Sequence, residues 1–240
     1  MRFPRLLAGT VALLVAAGTV WAQLPAPPSE SELIALVQNI RMMAGGQTNA
    51  ATRTRIESYL DAAAGPPERM NNYGGALLIV RGYPWEGIWC LCRAALPECA
   101  QPDVLSNMGF ALAWVQRHDW AERVLLYTVH RWPEFAPAWT NLARVYLDVG
   151  DYEHAQAALE GGDRAEPGTA VNEECRARMA VMRGDTAAAA DALVSLSNLD
   201  PGNPRLERLL EFVPEEELVN ELQARVAAIP MPGQLVDLPT

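Results

Sequence analysis

Residues 136–169 read APAWTNLARVYLDVGDYEHAQAALEGGDRAEPGT. Gly150 sits where two helices must be joined by a tight turn, and Pro167 ends the second because it cannot continue a helical hydrogen-bond ladder. Pro167 stands 34 residues after Pro133 and 34 before Pro201. With 18 prolines in 240 residues, chance alignment at that step is below about one per cent, and 34 is the period of a paired-helix repeat. Other columns agree at the same step. Gly109, Ala143 and Ala177 are all small, Ala121, Ala155 and Ala189 are identical, and so are Leu125, Leu159 and Leu193. Gly184 repeats Gly150, while Gln116 replaces them in the first copy. Antiparallel helices about 8–10 Å apart admit only Gly or Ala where their axes come nearest. The leucine fills the seam.

On these residues, 102–203 resembles three tetratricopeptide repeats, at 102–135, 136–169 and 170–203. The middle copy carries the pattern best, with Trp139, Leu142, Ala143, Tyr146, Gly150, Tyr152, Ala155, Leu159 and Pro167. The outer copies depart from it. Leu105 and Glu173 replace the tryptophan, Arg176 the leucine, and Leu112 and Ala180 the tyrosine. One step further back, Gly75, Gly82, Gly87, Leu91 and Ala94 fall in register, with Cys99 in place of the closing proline, so 68–101 reads as a degenerate fourth copy. The resemblance implies an all-α, right-handed α-solenoid of antiparallel helix pairs.

The flanks read as capping helices, since a stack of repeats exposes apolar faces at its ends. In the N-terminal helical segment, 23–67, Ser31 is the expected N-cap before Leu33, Val37 and Ile40, and Gly45-Gly46 the expected stop. A second helix from about Asn49 to Ala63 should place Ile56, Tyr59, Leu60 and Ala63 on its apolar side, with Gly65-Pro66-Pro67 ending it. Over 204–229, Leu206, Leu209 and Leu210 mark one short helix. Pro214, Glu215, Glu216 and Glu217, then Leu218, Leu222 and Val226 with Arg225 near the end, mark another whose charges suit its dipole. The segments 230–240 and Gln23 to Pro28 read as loose.

All 19 Lys+Arg positions are Arg, against 29 acids, for a net charge of −10. Without lysine there is no Schiff base, pyridoxal phosphate anchor or Walker A loop. The acidity argues against binding nucleic acid by phosphate neutralisation. The lysine deficit and many alanines suggest a GC-rich gene. Arg2 and Arg5 precede the uncharged run Leu6–Val20, and Val20-Trp21-Ala22 has the layout of a signal-peptide cleavage site, so residues 1–22 read as a cleavable leader. An anchor is the weaker reading because about 15 apolar residues fall short of the roughly 20 that span a bilayer. Cleavage leaves 218 residues at a charge of −12. The absence of an N-x-Ser/Thr sequon fits a bacterial periplasm, with secretion as the alternative.

Cys90, Cys92, Cys99 and Cys175 are expected to oxidise in an exported chain. Cys175 lies three repeats from the others. Cys90 and Cys92 project to nearly opposite sides of a helix, so Cys92–Cys99 is the favoured pair and Cys90–Cys99 the second choice. The competing assignment makes Cys90, Cys92 and Cys99 a redox or soft-metal site. Cys-x-Cys alone is a weak signal for it. His118, His130 and His154 lack ligand spacing, and no Gly-x-Ser-x-Gly elbow supplies a nucleophile. No catalytic residue, metal or cofactor is assigned, and the chain reads as a non-enzyme.

What remains is a surface. The resemblance implies that the first helix of each repeat lines a groove for an extended peptide or partner helix. Phe110, Trp114, Asn141, Arg144, Asp148, Arg178 and Met182 belong there, although Trp114 could pack between repeats and Arg178 could simply solvate a face. The lysine-containing carboxylate clamp of some family members cannot form. Two functions stay open: a periplasmic scaffold or assembly factor for another exported protein, and a thiol-dependent protein whose repeats deliver its client. Homo-oligomerisation through Tyr83-Pro84-Trp85 to Trp89, with Ile88, is a third expectation.

Overall fold

The computed structural model describes residues 24–62, 66–95 and 101–227. The leader through Ala22, the tail from Pro230 to Thr240, Ala63, Gly65, Pro97 and Cys99 lie outside the described residues, and with Cys99 both disulfide assignments. The described chain is all-α. Its helices are α1 (Glu30–Gln47), α2 (Ala50–Ala62), α3 (Pro67–Val80), α4 (Pro84–Ala95), α5 (Pro102–Trp114), α6 (His118–Arg131), α7 (Ala136–Val149), α8 (Tyr152–Ala165), α9 (Ala170–Arg183), α10 (Thr186–Leu199), α11 (Leu206–Leu210) and α12 (Glu215–Ala227). No described helix is long and apolar enough to cross a membrane. The chain forms two compact units, Met1–Pro167 and Gly168–Thr240. The boundary falls at the end of the middle repeat, so the last pair, α9 and α10, is grouped with the C-terminal helices.

The 34-residue period appears as repeated backbone chemistry. The joints within the four pairs centre on Gly82, Gln116, Gly150 and Gly184, and all four have positive φ, at 83°, 61°, 78° and 72°. In each, the amide at the joint folds back across the last turn: Gly82 N–H to Ile79 O, Gln116 to Ala113, Gly150 to Leu147, Gly184 to Val181. The next amide reaches further back: Tyr83 to Leu78, Arg117 to Leu112, Asp151 to Tyr146 and Asp185 to Ala180. Such bonds satisfy carbonyls that a helix end leaves without partners, and the joint needs the left-handed conformation that glycine adopts at no steric cost. Gln116 holds the same geometry without being glycine.

Ala121, Ala155 and Ala189 occupy the fourth position of α6, α8 and α10 and are fully buried. Each donates its N–H to the residue before its helix: Arg117, Asp151 and Asp185. Gly87 does the same to Tyr83 in α4. The seam is just as regular. A Cβ on Gly109 would lie under 3.0 Å from Leu125 Cγ, and one on Gly75 would lie 2.7 Å from Leu91 Cγ. The 68–101 window thus has the joint and seam of the other pairs, without the closing proline.

Several flank readings change. Ser29, not Ser31, caps α1, because Glu32 stands three residues on and completes a reciprocal box: Glu32 N–H to Ser29 Oγ at 3.4 Å and Ser29 N–H to Glu32 Oε2 at 2.7 Å. The helix continues through Gly45-Gly46 to Gln47. Its last carbonyls are satisfied by Arg53 of α2, whose Nη1 donates to Gly45 O and to Thr48 O at 2.8 Å, a cation where the helix dipole favours one. In α2, Tyr59 is exposed and no residue is fully buried; Leu60 reaches closely to Gly74 of α3. Leu24 is buried in the segment expected to be loose.

Helix α1 lies against α4 and α6, the second helices of two pairs. With α1, α3 and α5 all packed on α4, Cys90 and Cys92 are both buried despite projecting to different sides. In the second unit, Leu206, Leu209, Leu210 and Leu218 pack on a core of Ala177, Ala189, Leu193 and Leu196. Leu222 is exposed, and the side chain of Val226 lies outside the described set. Arg225 ties α12 to α10 by donating to Asp191 O at 2.9 Å, Asp191 Oδ1 and Ser195 Oγ at 3.0 Å, while its Nε reaches Glu221 at 2.6 Å.

Candidate functional site

The first unit contributes Phe110 and Trp114 from α5 and Asn141, Arg144 and Asp148 from α7. Phe110 and Trp114 are one helical turn apart, with ring centroids 5.9 Å apart and planes inclined by 53°. Phe110 is half-buried. Trp114 is 58% exposed, so it does not serve as packing between repeats. The half-buried Arg144 and the exposed Asp148 are both engaged in polar interactions.

Asn141 has a structural task. Its Nδ2 donates to Ser106 Oγ at 3.0 Å and Ser106 O at 3.3 Å, joining α7 to α5. One repeat earlier, Asn107 Nδ2 donates to Asn72 Oδ1 at 2.9 Å, and Asn72 Nδ2 to Asp103 Oδ2 at 2.6 Å, joining α5 to α3. Asn72 and Ser106 are buried, so these bonds satisfy groups that would be costly to leave unpaired. Asn107 and Asn141 are 34 residues apart, as are Asn72 and Ser106. These polar columns are therefore written in the period, although the small and apolar columns are what draw the eye in the sequence. They place Asn141 in the scaffold that sets the spacing of first helices.

In the second unit, Arg178 of α9 lines a cavity of 370 Å³ with Glu174, Arg205, Arg208, Leu209 and Phe212. Met182 is exposed on the same helix. Arg205, Arg208, Leu209 and Phe212 belong to no helix pair, so repeat arithmetic gave no signal for them. Glu174 is buried; it accepts from Arg205 Nη1 and from Asn203 Nδ2 at 3.2 Å.

Burial holds Cys90 and Cys92 in the neutral thiol form. Burial pushes Cys90 up to about 12 and Cys92 well above the usual thiol range, whereas the reactive species is the thiolate. Burial also raises Tyr146, as does Glu122, whose Oε1 accepts from its hydroxyl at 3.0 Å. At Asp151, burial pushes the carboxyl up, but hydrogen bonds from His154, through the backbone N–H and a ring nitrogen at 2.6 Å, outweigh it and hold it low. His118 pairs with Gln116 Oε1 at 3.1 Å. The oligomerisation surface changes as well: Ile88 and Trp89 are buried, leaving Tyr83 exposed.

No protein-family model matches the sequence, and no curated protein does. Solved structures do. A thermophilic tetratricopeptide-repeat protein of Thermus thermophilus is 19% identical, with a TM-score of 0.58 over 67% of this chain and 88% of its own. A tetratricopeptide repeat protein from Parabacteroides merdae is 12% identical, with a TM-score of 0.54 over 82% of this chain and 77% of its own. With the joints and seams at a 34-residue step, these likenesses show that the chain has the tetratricopeptide-repeat fold.

Proposed function

We propose that the chain is a non-enzymatic scaffold or assembly factor of the bacterial periplasm that holds a peptide or helix of another exported protein on its first-helix face. The observation that carries this is Trp114, a tryptophan 58% exposed on a first helix with Phe110 packed beside it. Large aromatic anchors of this kind dominate binding energy at protein interfaces. The fold supports a binding role by analogy, since solenoid repeats offer extended recognition surfaces. The leader-like residues 1–22 and the acidic remainder support export. The thiol-dependent alternative is unsupported: two of the three thiols it needs are buried and held in the neutral form.

The test is partner capture by the intact protein. Trp114→Ala with Arg144→Ala should abolish capture, and Cys90→Ser with Cys92→Ser and Cys99→Ser should leave it unchanged in a protein that still folds. Capture that survives the first pair of substitutions contradicts the face assignment. Loss confined to the serine variant would favour the thiol reading.

A further inference from the structure

We infer that the face of α3 carrying Tyr73, Leu77 and Val80 joins a second copy of this chain across a two-fold axis. The repeat period says what this face is for. Asn107 and Asn141, one and two periods after Tyr73, each donate to the preceding first helix. Ala111 and Val145 stand in the same relation to Leu77 and are 0% and 2% exposed. These positions therefore face the preceding pair, and no described pair precedes α3. Leu77 is accordingly 57% exposed, with Tyr73 and Val80 also open to solvent. Helix α1 lies on second helices, and α2 reaches α3 at Gly74, so the stripe beside them stays bare.

The pattern of this stripe suits a copy of itself. Tyr73, Leu77 and Val80 follow one another at steps of four and three residues, the seam of a packed helix pair. Two such helices run antiparallel about an axis at Leu77 set that leucine on its equivalent and Val80 on the contact between Gly74 and Leu60. The same register brings the exposed Arg81 of each copy to Tyr73 of the other. Arg69 already lies over one face of the Tyr73 ring, 5.7 Å from its centre, so Arg81 of the second copy completes the same cation–π chemistry on the opposite face. The cations beside the stripe thus meet rings rather than one another. At their exposures the three stripe residues offer about 400 Å² of surface, more than scattered single side chains present. With Arg69, Arg81 and Tyr83 at the rim, each copy buries about 600 Å², and the total of about 1,200 Å² is at the lower end of specific interfaces. The dimer is therefore reversible, with a dissociation constant on the order of tens of micromolar. Because both copies use the same patch, association closes at two.

The test is sedimentation equilibrium of the full chain from about 2 to about 200 µM, where a reversible monomer–dimer equilibrium is expected. Leu77→Glu, at an exposed position, should raise the dissociation constant more than about 100-fold while leaving the thermal transition in place. Leu222→Glu changes a similarly exposed leucine of the second unit and should leave the dimer unchanged. Each copy carries a net charge of −10, so added salt should tighten the dimer by screening. With Cys99→Ser in place, Leu77→Cys should be linked to its equivalent by a short bismaleimide, and Leu222→Cys should not. A monomer throughout the range, a dimer that Leu77→Glu leaves intact, a dimer that salt loosens, or open-ended assembly overturns the inference. So does a Leu77→Cys protein that dimerises without cross-linking, since the axis at Leu77 brings the two thiols together.

Discussion

Adding one methyl group at Gly161 should destabilise the first unit, although the same change ordinarily strengthens a helix. Gly161 is in α8, and a Cβ there would lie under 3.0 Å from ring atoms of Trp139 in α7. That ring cannot easily yield. It is nearly completely buried, and its Nε1 donates to Pro133 O at 2.8 Å, so swinging it away would break a bond as well as disturb packing. Overpacking a close-packed core costs about 1–3 kcal/mol, and the rigidity of the neighbour puts this site in the upper half. Replacing glycine by alanine inside a helix returns about 1 kcal/mol. The net expectation for Gly161→Ala is a loss of about 1–2 kcal/mol, or a fall of roughly 2–8 °C in Tm for a protein of this size. Gly45→Ala is the control. It is also helical, but its Cβ would meet nothing within 4 Å, so it should gain up to about 0.5–1 kcal/mol. Urea unfolding followed by tryptophan fluorescence and circular dichroism reads both. A Gly161→Ala protein as stable as the parent would refute the claim that α7 and α8 approach at this point.

The joints make a second prediction. Gln116→Gly should stabilise by about 0.5–1 kcal/mol, because it relieves a left-handed residue that is not glycine, while Gly150→Ala should cost about 1 kcal/mol or more; thermal melts check both. Arg225→Ala should release α12 from α10, seen as faster amide exchange over 215–227 with the first unit unaffected. In the native protein at pH 8, Cys90 and Cys92 should resist a thiol reagent and react on unfolding, as read by site-resolved mass spectrometry. Asp151 is held below the ordinary aspartate value of 3.8, so its contribution is present at neutral pH and is lost as pH falls through that value toward its lower folded one. Asp151→Asn, which keeps a cap, should flatten the acid limb of the stability profile.

Much of the fold was legible because a repeat writes each structural requirement several times. Close approach demanded a small residue at 109, 143 and 177, and the joint demanded positive φ at 82, 116, 150 and 184, so even a copy that had lost its tryptophan and proline kept its register. The flanks have no second copy to check against. Ser31 and Ser29 are both plausible caps, and the choice depends on which has a glutamate three residues later. Gly45-Gly46 resembled a stop, yet Arg53 supplies donors to the carbonyls beyond. Burial of Cys90 and Cys92 on different sides of α4 required knowing that α1 covers that helix, a contact remote in sequence. At the candidate site, the 34-residue register placed Trp114 on a first helix, and it is exposed there. The bond from Asn141 to Ser106, 35 residues away, left no local signal, and the arginine-lined cavity was invisible because its second wall comes from a segment without periodicity.

The central claim is that the Trp114 face holds another polypeptide, and site-specific photocrosslinking in intact cells tests it most directly. A photoreactive residue at position 114 should join the chain to one discrete partner, and the adduct should disappear when Arg144 is replaced by alanine. The same probe at the exposed Glu160 on α8 should give no such product. Equal adducts from both positions, or none from 114 while the protein is folded and exported, would contradict the account.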